Sequence, residues 1–212
     1  MRQSILVAAS ALSLALAGAA HAAGITDATN DFVGTYTGPH QADLDVTSFS
    51  VSYDSVLQRF LLQSTMAGAI DPSLGGFYAI GVNTGTGPNN FSAIGEAGVR
   101  FNQVIAVRKD GTGNVGANNL APGSVTIGGN LLSVLVPLSL LPSTKFAPEH
   151  YGFNIWPRSS TVGGTAVISD FAPDNATLAA APEPATWATM VIGFGLCGAA
   201  LRISRRTRAL TA

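Results

Sequence analysis

Between Ser48 and Tyr53 the chain reads Ser-Phe-Ser-Val-Ser-Tyr, a strict alternation of hydroxyl and large apolar side chains. Only an extended strand puts Phe49, Val51 and Tyr53 on one side and Ser48, Ser50 and Ser52 on the other, because successive side chains point to opposite faces. A second run, residues 59–66, can pair back onto it across Asp54-Ser55. Residues 77–82 and 104–107 follow, separated by a Gly/Asn-rich loop at 83–90. Asp110-Gly111-Thr112-Gly113-Asn114 supplies turn chemistry, since glycine reaches positive φ without steric cost. Residues 124–127 and 131–136 flank Gly128-Gly129-Asn130 as a hairpin, and the second of these runs is apolar on both faces, as at the middle of a sandwich. Residues 151–156 and 165–168 close the set, and helical periodicity is absent apart from a short turn near 138–141.

About eight short strands between turn signals predict an all-β fold: a single β-sandwich or jelly-roll-like domain over residues 24–170. Residues 171–181 are Pro/Ala-rich and polar, the composition of a linker. No internal repeat is visible.

The two ends are of another kind. Arg2 precedes an apolar run from Ile5 to Ala20, and Ala20-His21-Ala22 is an A-x-A cleavage pattern. Residues 1–22 therefore read as a secretory signal peptide, cut after Ala22 or Ala23, so that His21 leaves with it. At the other end, Trp187 to Leu201 carries no charge and Arg202, Arg205, Arg206 and Arg208 follow. The uncharged stretch is shorter than the ~20 residues that cross a bilayer, but it reaches that length from Ala185 to Ser204 if Arg202 snorkels to the interface. Trp187 suits the headgroup level at one end, and the arginines place the other end in the cytoplasm. The prediction is a C-terminal transmembrane helix with a basic stop.

Just ahead of that helix stand Pro182-Glu183-Pro184, with Trp187-Ala188 three residues on. Motif, apolar segment and basic tail in this order, residues 182–212, resemble the PEP-CTERM sorting signal of Gram-negative bacteria in its Pro-Glu-Pro-x-x-Trp-Ala form. The resemblance implies that exosortase, a membrane-embedded cysteine protease, recognises Pro182, Glu183 and Pro184 and removes the tail. It also implies export by the Sec machinery, a transient tether in the inner membrane, and delivery to the cell surface or an exopolysaccharide matrix. Ile203, Ser204 and Thr207 interrupt the arginines, and Ala209 to Ala212 follow them, which departs from a compact basic end. The segments at 35–39 with 43–45, 151–158 and 168–175 also resemble an uncharacterised module of exported proteins that carry this tail, and that resemblance brings no activity with it.

Removing the ends changes the charge that matters. Of eleven Lys and Arg, Arg2 and the four tail arginines lie outside the core, whereas eleven of the twelve Asp and Glu precede Glu183. The core is thus acidic by five charges, which argues against nucleic acid and anionic lipid as partners. The single cysteine, Cys197, lies in the apolar tail, so the core has no thiol for disulfides, zinc ligation or nucleophilic catalysis. Its stability must come from burial.

Catalytic signatures are missing: there is no G-x-S-x-G, H-E-x-x-H or Walker loop. His40 or His150 with Asp43 or Glu149 and one of many serines would make a triad on paper only. Asp43 and Asp45, at i and i+2, share a face if extended and would offer two of the oxygen ligands calcium needs. Asp170 and Asp174, with Asn175, complete such a site if the chain ends meet. Asp110 to Asn114 mimics part of a calcium loop but reads as a plain turn. Trp156 and Tyr151, with Tyr36 and Tyr78, are candidate stacking platforms for a glycan, and Arg158 a hydrogen-bond donor to it. The expectation is an exported, non-enzymatic binding or structural module with calcium as its one candidate cofactor. An extracellular hydrolase acting on matrix polysaccharide is the competing class.

Overall fold

A computed structural model describes residues 23–182. The residues read as a signal peptide, including Ala20 and Ala22, lie outside the described residues, as do Glu183, Pro184, Trp187 and the tail arginines. Twelve strands run in chain order: β1 Ala23–Thr26, β2 Val46–Asp54, β3 Arg59–Met66, β4 Phe77–Asn83, β5 Gln103–Arg108, β6 Gly113–Val115, β7 Asn118–Asn119, β8 Val125–Gly128, β9 Leu131–Pro137, β10 Gly152–Arg158, β11 Leu178–Ala179 and β12 Ala181–Pro182. They form two sheets of six. Sheet A has the order β1-β2-β3-β9-β8, with β12 also paired to β2; sheet B has the order β11-β10-β4-β5-β6-β7. All pairs are antiparallel except β12 on β2. Among the described residues no helix is long and apolar enough to cross a membrane.

The Ser-Phe alternation does what its period demands. Phe49, Val51 and Tyr53 are buried, and opposite them on β3 stand Ser64, Leu62 and Phe60, buried as well. A bulge between Val46 and Ser48 adds one residue, so that Val46 also faces inward although it is out of phase with Phe49. Tyr78, Ile80 and Val82 of β4, Ile105 and Val107 of β5, and Phe153 and Ile155 of β10 join the same apolar cluster from sheet B. Burying each of these large side chains stabilises the fold by about 1.5–3 kcal/mol.

The two sheets differ on their other faces. In sheet B the alternate residues Ala79 and Trp156 belong to a second buried cluster, closed by Phe91, Val99, Ile168 and Phe171 from the loops. That double cover explains why β4 and β10 are buried at nearly every position rather than at alternate ones. Phe91 meets Trp156 edge-on at 5.1 Å between ring centroids. Gly81 lies beside Trp156, and a Cβ there would overlap the indole. Among the described residues no second apolar cluster covers the outer face of sheet A.

Three expectations are corrected. Residues 165–168 form no strand: Gly163 and Gly164 both take positive φ (111° and 60°), which curls the chain into a 3-10 turn over Gly164–Val167. β9 is not apolar on both faces in any structural sense, since only Leu132, Val134 and Val136 are buried and Leu131 is exposed. It is the penultimate strand of sheet A, and only β8 lies beyond it. The linker at 171–181 is part of the body. Phe171 and Ala172 are buried, Ile155 and Ala172 exchange both backbone hydrogen bonds at 3.0 and 2.9 Å, and β11 and β12 follow. Small Ala and Pro residues lie close against a sheet as readily as they make a spacer.

The two ends of the described body do meet. β1 covers the β2 edge from Ser48 to Val51, and Ala181 pairs with Ser52, the next residue along.

Candidate functional site

The glycan platform forms only in part: Trp156 and Arg158 line one depression of about 410 Å³ with Phe77, Phe91 and Phe101, but the tyrosines lie elsewhere. Tyr151 is fully buried and donates its hydroxyl to Leu141 O at 3.1 Å; Trp156 is 3% exposed within the second cluster. Tyr78 is likewise buried and donates to Asp43 O at 2.9 Å, while Tyr36 donates to Pro39 O at 2.8 Å. Arg158 does not pair with Asp170. Its guanidinium donates to Ser160 O and Gly164 O and lies 5.9 Å from the Phe77 ring centroid. Both histidines are exposed: His40 stacks on Phe32 at 4.2 Å, and His150 ends a 3-10 turn at Pro148–His150. Among the described residues neither imidazole has a hydrogen-bonded serine or carboxylate.

The aspartates divide. Asp43 and Asp45 are not consecutive residues of one strand face, because Asp43 sits in a 3-10 turn at Ala42–Leu44 and Asp45 follows it as the chain straightens into β2. Asp43 turns toward Lys109, with Oδ2 2.6 Å from Nζ and both side chains almost completely buried. Its charge is therefore compensated, and it leaves the expected calcium set. Asp45 turns the other way, where Oδ2 accepts the Asn30 N–H at 2.8 Å.

That contact leads to a group of carboxylates where both ends of the body converge. Oxygen atoms of Asp27, Asp31 and Asp170 lie within 4.8 Å of one another. Asp27 directly follows β1, and its amide donates to Thr47 O at 2.9 Å. Asp170 is anchored by two amides, those of Val46 and Phe171, each at 2.7 Å. The loop bearing Asp31 is held to the C-terminal segment by Val33 N–H donating to Ser169 O at 2.9 Å. Burial, followed by the charges of Asp174 and Asp31, pushes Asp27 up to about 7. Burial, with the charges of Asp27 and Asp31 adding to it, pushes Asp170 up to about 8 despite its two amide donors. Asp45, Asp174 and Glu96 are raised too, each chiefly by burial. Among the described residues the ion pairs are Lys109–Asp43 and Arg59–Asp54, so no Lys or Arg is paired with this group.

The sequence therefore located Asp45, Asp170 and Asp174 in the correct neighbourhood and missed Asp27, Asp31 and Glu96. The available signal was the spacing Asp27-x-x-x-Asp31, in a stretch without Lys or Arg up to Arg59.

A second feature lies on the open face of sheet A. Ser50, Gln63, Ser133 and Thr126 are direct cross-strand neighbours on β2, β3, β9 and β8. They form a straight row of hydroxyl and amide groups, with strands spaced about 4.8 Å apart, so the row runs about 14 Å. It floors a shallow depression of about 410 Å³ that Ser48 and Thr65 also line.

Neither a family model, nor a curated protein, nor a solved structure matches the chain.

Proposed function

We propose that the chain is an exported, exosortase-sorted protein of the cell surface or exopolysaccharide matrix. Its body is a jelly-roll-like β-sandwich that binds matrix polymer without turning it over. The observation that carries this reading is the Ser50–Gln63–Ser133–Thr126 row. A flat array of hydroxyl and amide groups at strand spacing offers donors and acceptors to successive sugars of an extended polymer. Among the described residues no cluster covers it, whereas sheet B spends both faces on packing. The arrangement of the ends supports the delivery half of the reading. Cleavage after Ala22 leaves Ala23, the first residue of β1, as the new N-terminus, and the sorting motif begins at Pro182, where the last strand ends. The commitment of Asp43 to Lys109, and the lack among the described residues of a serine or carboxylate hydrogen-bonded to His40 or His150, support a role in binding over one in hydrolysis.

The test is a calorimetric titration of the protein with its host's exopolysaccharide, followed by sizing of the polymer. Saturable heat, unchanged polymer length and loss of most of the heat in a Gln63→Ala/Thr126→Ala variant are the expected results. Shortened polymer would move the protein to the hydrolase class. Heat that survives the double substitution would remove the sheet A face from the proposal.

A further inference from the structure

We propose that Asp27, Asp31 and Asp170, backed by Asp45, bind a divalent, oxygen-seeking cation of the calcium class. The site is separate from the sheet A face. Calcium takes oxygen ligands at about 2.3–2.6 Å, so two ligands on one ion lie no more than about 5 Å apart. The three carboxylates meet that limit mutually, with oxygens within 4.8 Å of one another. Three like charges this close repel one another unless protons or a cation compensate them.

A second observation points to a ligand. Asp45 is 2% exposed, and its Oδ1 is buried without any hydrogen-bond partner, while Oδ2 fixes the side chain against the 27–31 loop through Asn30 N–H. Asp27 Oδ2 is likewise buried and unpartnered. A buried carboxylate oxygen left without a partner costs about 1–3 kcal/mol or more, a penalty a bound cation removes. Calcium, which accepts six to eight oxygens in irregular geometry, suits a set that mixes carboxylates from three separate stretches of chain. Asp27 and Asp31 come from the N-terminal loop, Asp45 from the start of β2 and Asp170 from the C-terminal segment. One ion would thus tie both ends of the body to its first long strand.

The experiment uses the full-length chain in detergent, treated with chelator and then titrated with calcium chloride alone, with no polymer present. Saturable heat at one ion per chain and a raised Tm are expected. Asp170 holds the amides of Val46 and Phe171, so Asp170→Asn risks the fold itself. Asp31→Asn is the informative variant: its side chain is exposed and anchors nothing, and it should fold normally while weakening calcium about tenfold or more, because affinity follows ligand charge. Asp27→Asn should weaken it comparably. Absence of heat and of any Tm shift in the wild-type chain overturns the proposal. So does calcium binding of undiminished affinity in both Asp31→Asn and Asp27→Asn. Because no polymer is present, either failure leaves the polymer-binding reading untouched.

Discussion

Replacing Lys109 by Met should cost far more than its place at the end of β5 suggests. The ammonium lies 2.6 Å from Asp43 Oδ2 and donates a second bond to Gly75 O at 3.0 Å, with only 3% of the lysine side chain and 2% of the aspartate side chain exposed. Met fills similar volume without the charge. Asp43 would keep one weak donor, the Asp71 N–H at 3.2 Å, and its Oδ1 already has none. Removing one partner of a buried ion pair typically costs about 3–5 kcal/mol, because the remaining charge is left uncompensated. A domain of this size is stable by only about 5–15 kcal/mol in total. Equilibrium urea unfolding, followed by tryptophan fluorescence, should therefore show a midpoint lowered by about 2 M at an unchanged slope, given slopes of about 1–3 kcal/mol/M. The double variant Asp43→Leu/Lys109→Met removes both charges together and should recover most of the loss. A Lys109→Met penalty below about 1 kcal/mol would refute the reasoning, since it would mean that water reaches the pair and that its burial has no energetic consequence.

Further outcomes follow from other parts of the molecule. Gly81→Ala places a methyl group against the Trp156 indole and should destabilise by about 1–3 kcal/mol, read as a lowered Tm with loss of near-ultraviolet tryptophan signal. Without calcium, Asp170 and Asp27 hold protons more tightly folded than unfolded, so their contribution to stability is complete below about pH 4 and is lost as pH rises through about 7 to 8. Each pKa unit on the well-buried Asp170 corresponds to about 1.4 kcal/mol, and the unfolding free energy from urea titrations at pH 4.5 to 8.5 in chelator should fall by an amount on the order of a few kcal/mol. Saturating calcium should flatten that slope. Ending the chain at Thr177 deletes β11 and β12 and uncovers the β2 edge, so amides of Ser52 and Tyr53 should exchange hydrogen faster while those of β5 change little.

Local periodicity made much of sheet A legible. Phe49, Val51 and Tyr53 announce a strand by alternation alone, and the Gly128-Gly129-Asn130 turn announces its hairpin, with Gly129 at φ 63°. Sheet B was legible as strands but not as a doubly covered layer, because periodicity cannot show that Phe91, Phe101 and Phe171 arrive from loops to roof Trp156. The 3-10 turn at Gly164–Val167 was missed because β-branched Thr165, Val167 and Ile168 outweighed the two glycines before them. For the acidic group, the sequence offered residues but not their directions. Asp43 and Asp45 are two positions apart, yet Leu44, fully buried between them, turns one toward Lys109 and the other toward Asn30. Asp27 and Asp170 stand 143 positions apart in the chain. Their carboxylates meet because β1 runs along β2 to set the Asp27 amide on Thr47 O, while the Val46 amide holds Asp170 at the same end of β2.

That shared edge also sets the mechanics of anchoring. Any pull transmitted through the residues after Pro182 first loads β12, which has only two rungs on β2 and would peel easily. Behind it, Ala180 crosses between the sheets, its amide bonded to Tyr151 O at 3.1 Å, and β11 grips β10. Tension is therefore divided between the two layers before it reaches the core. Under the proposed tethering, a pull at Pro182 would load β12 and the Ser52–Tyr53 end of β2 before the rest of the β2–β3–β9 ladder.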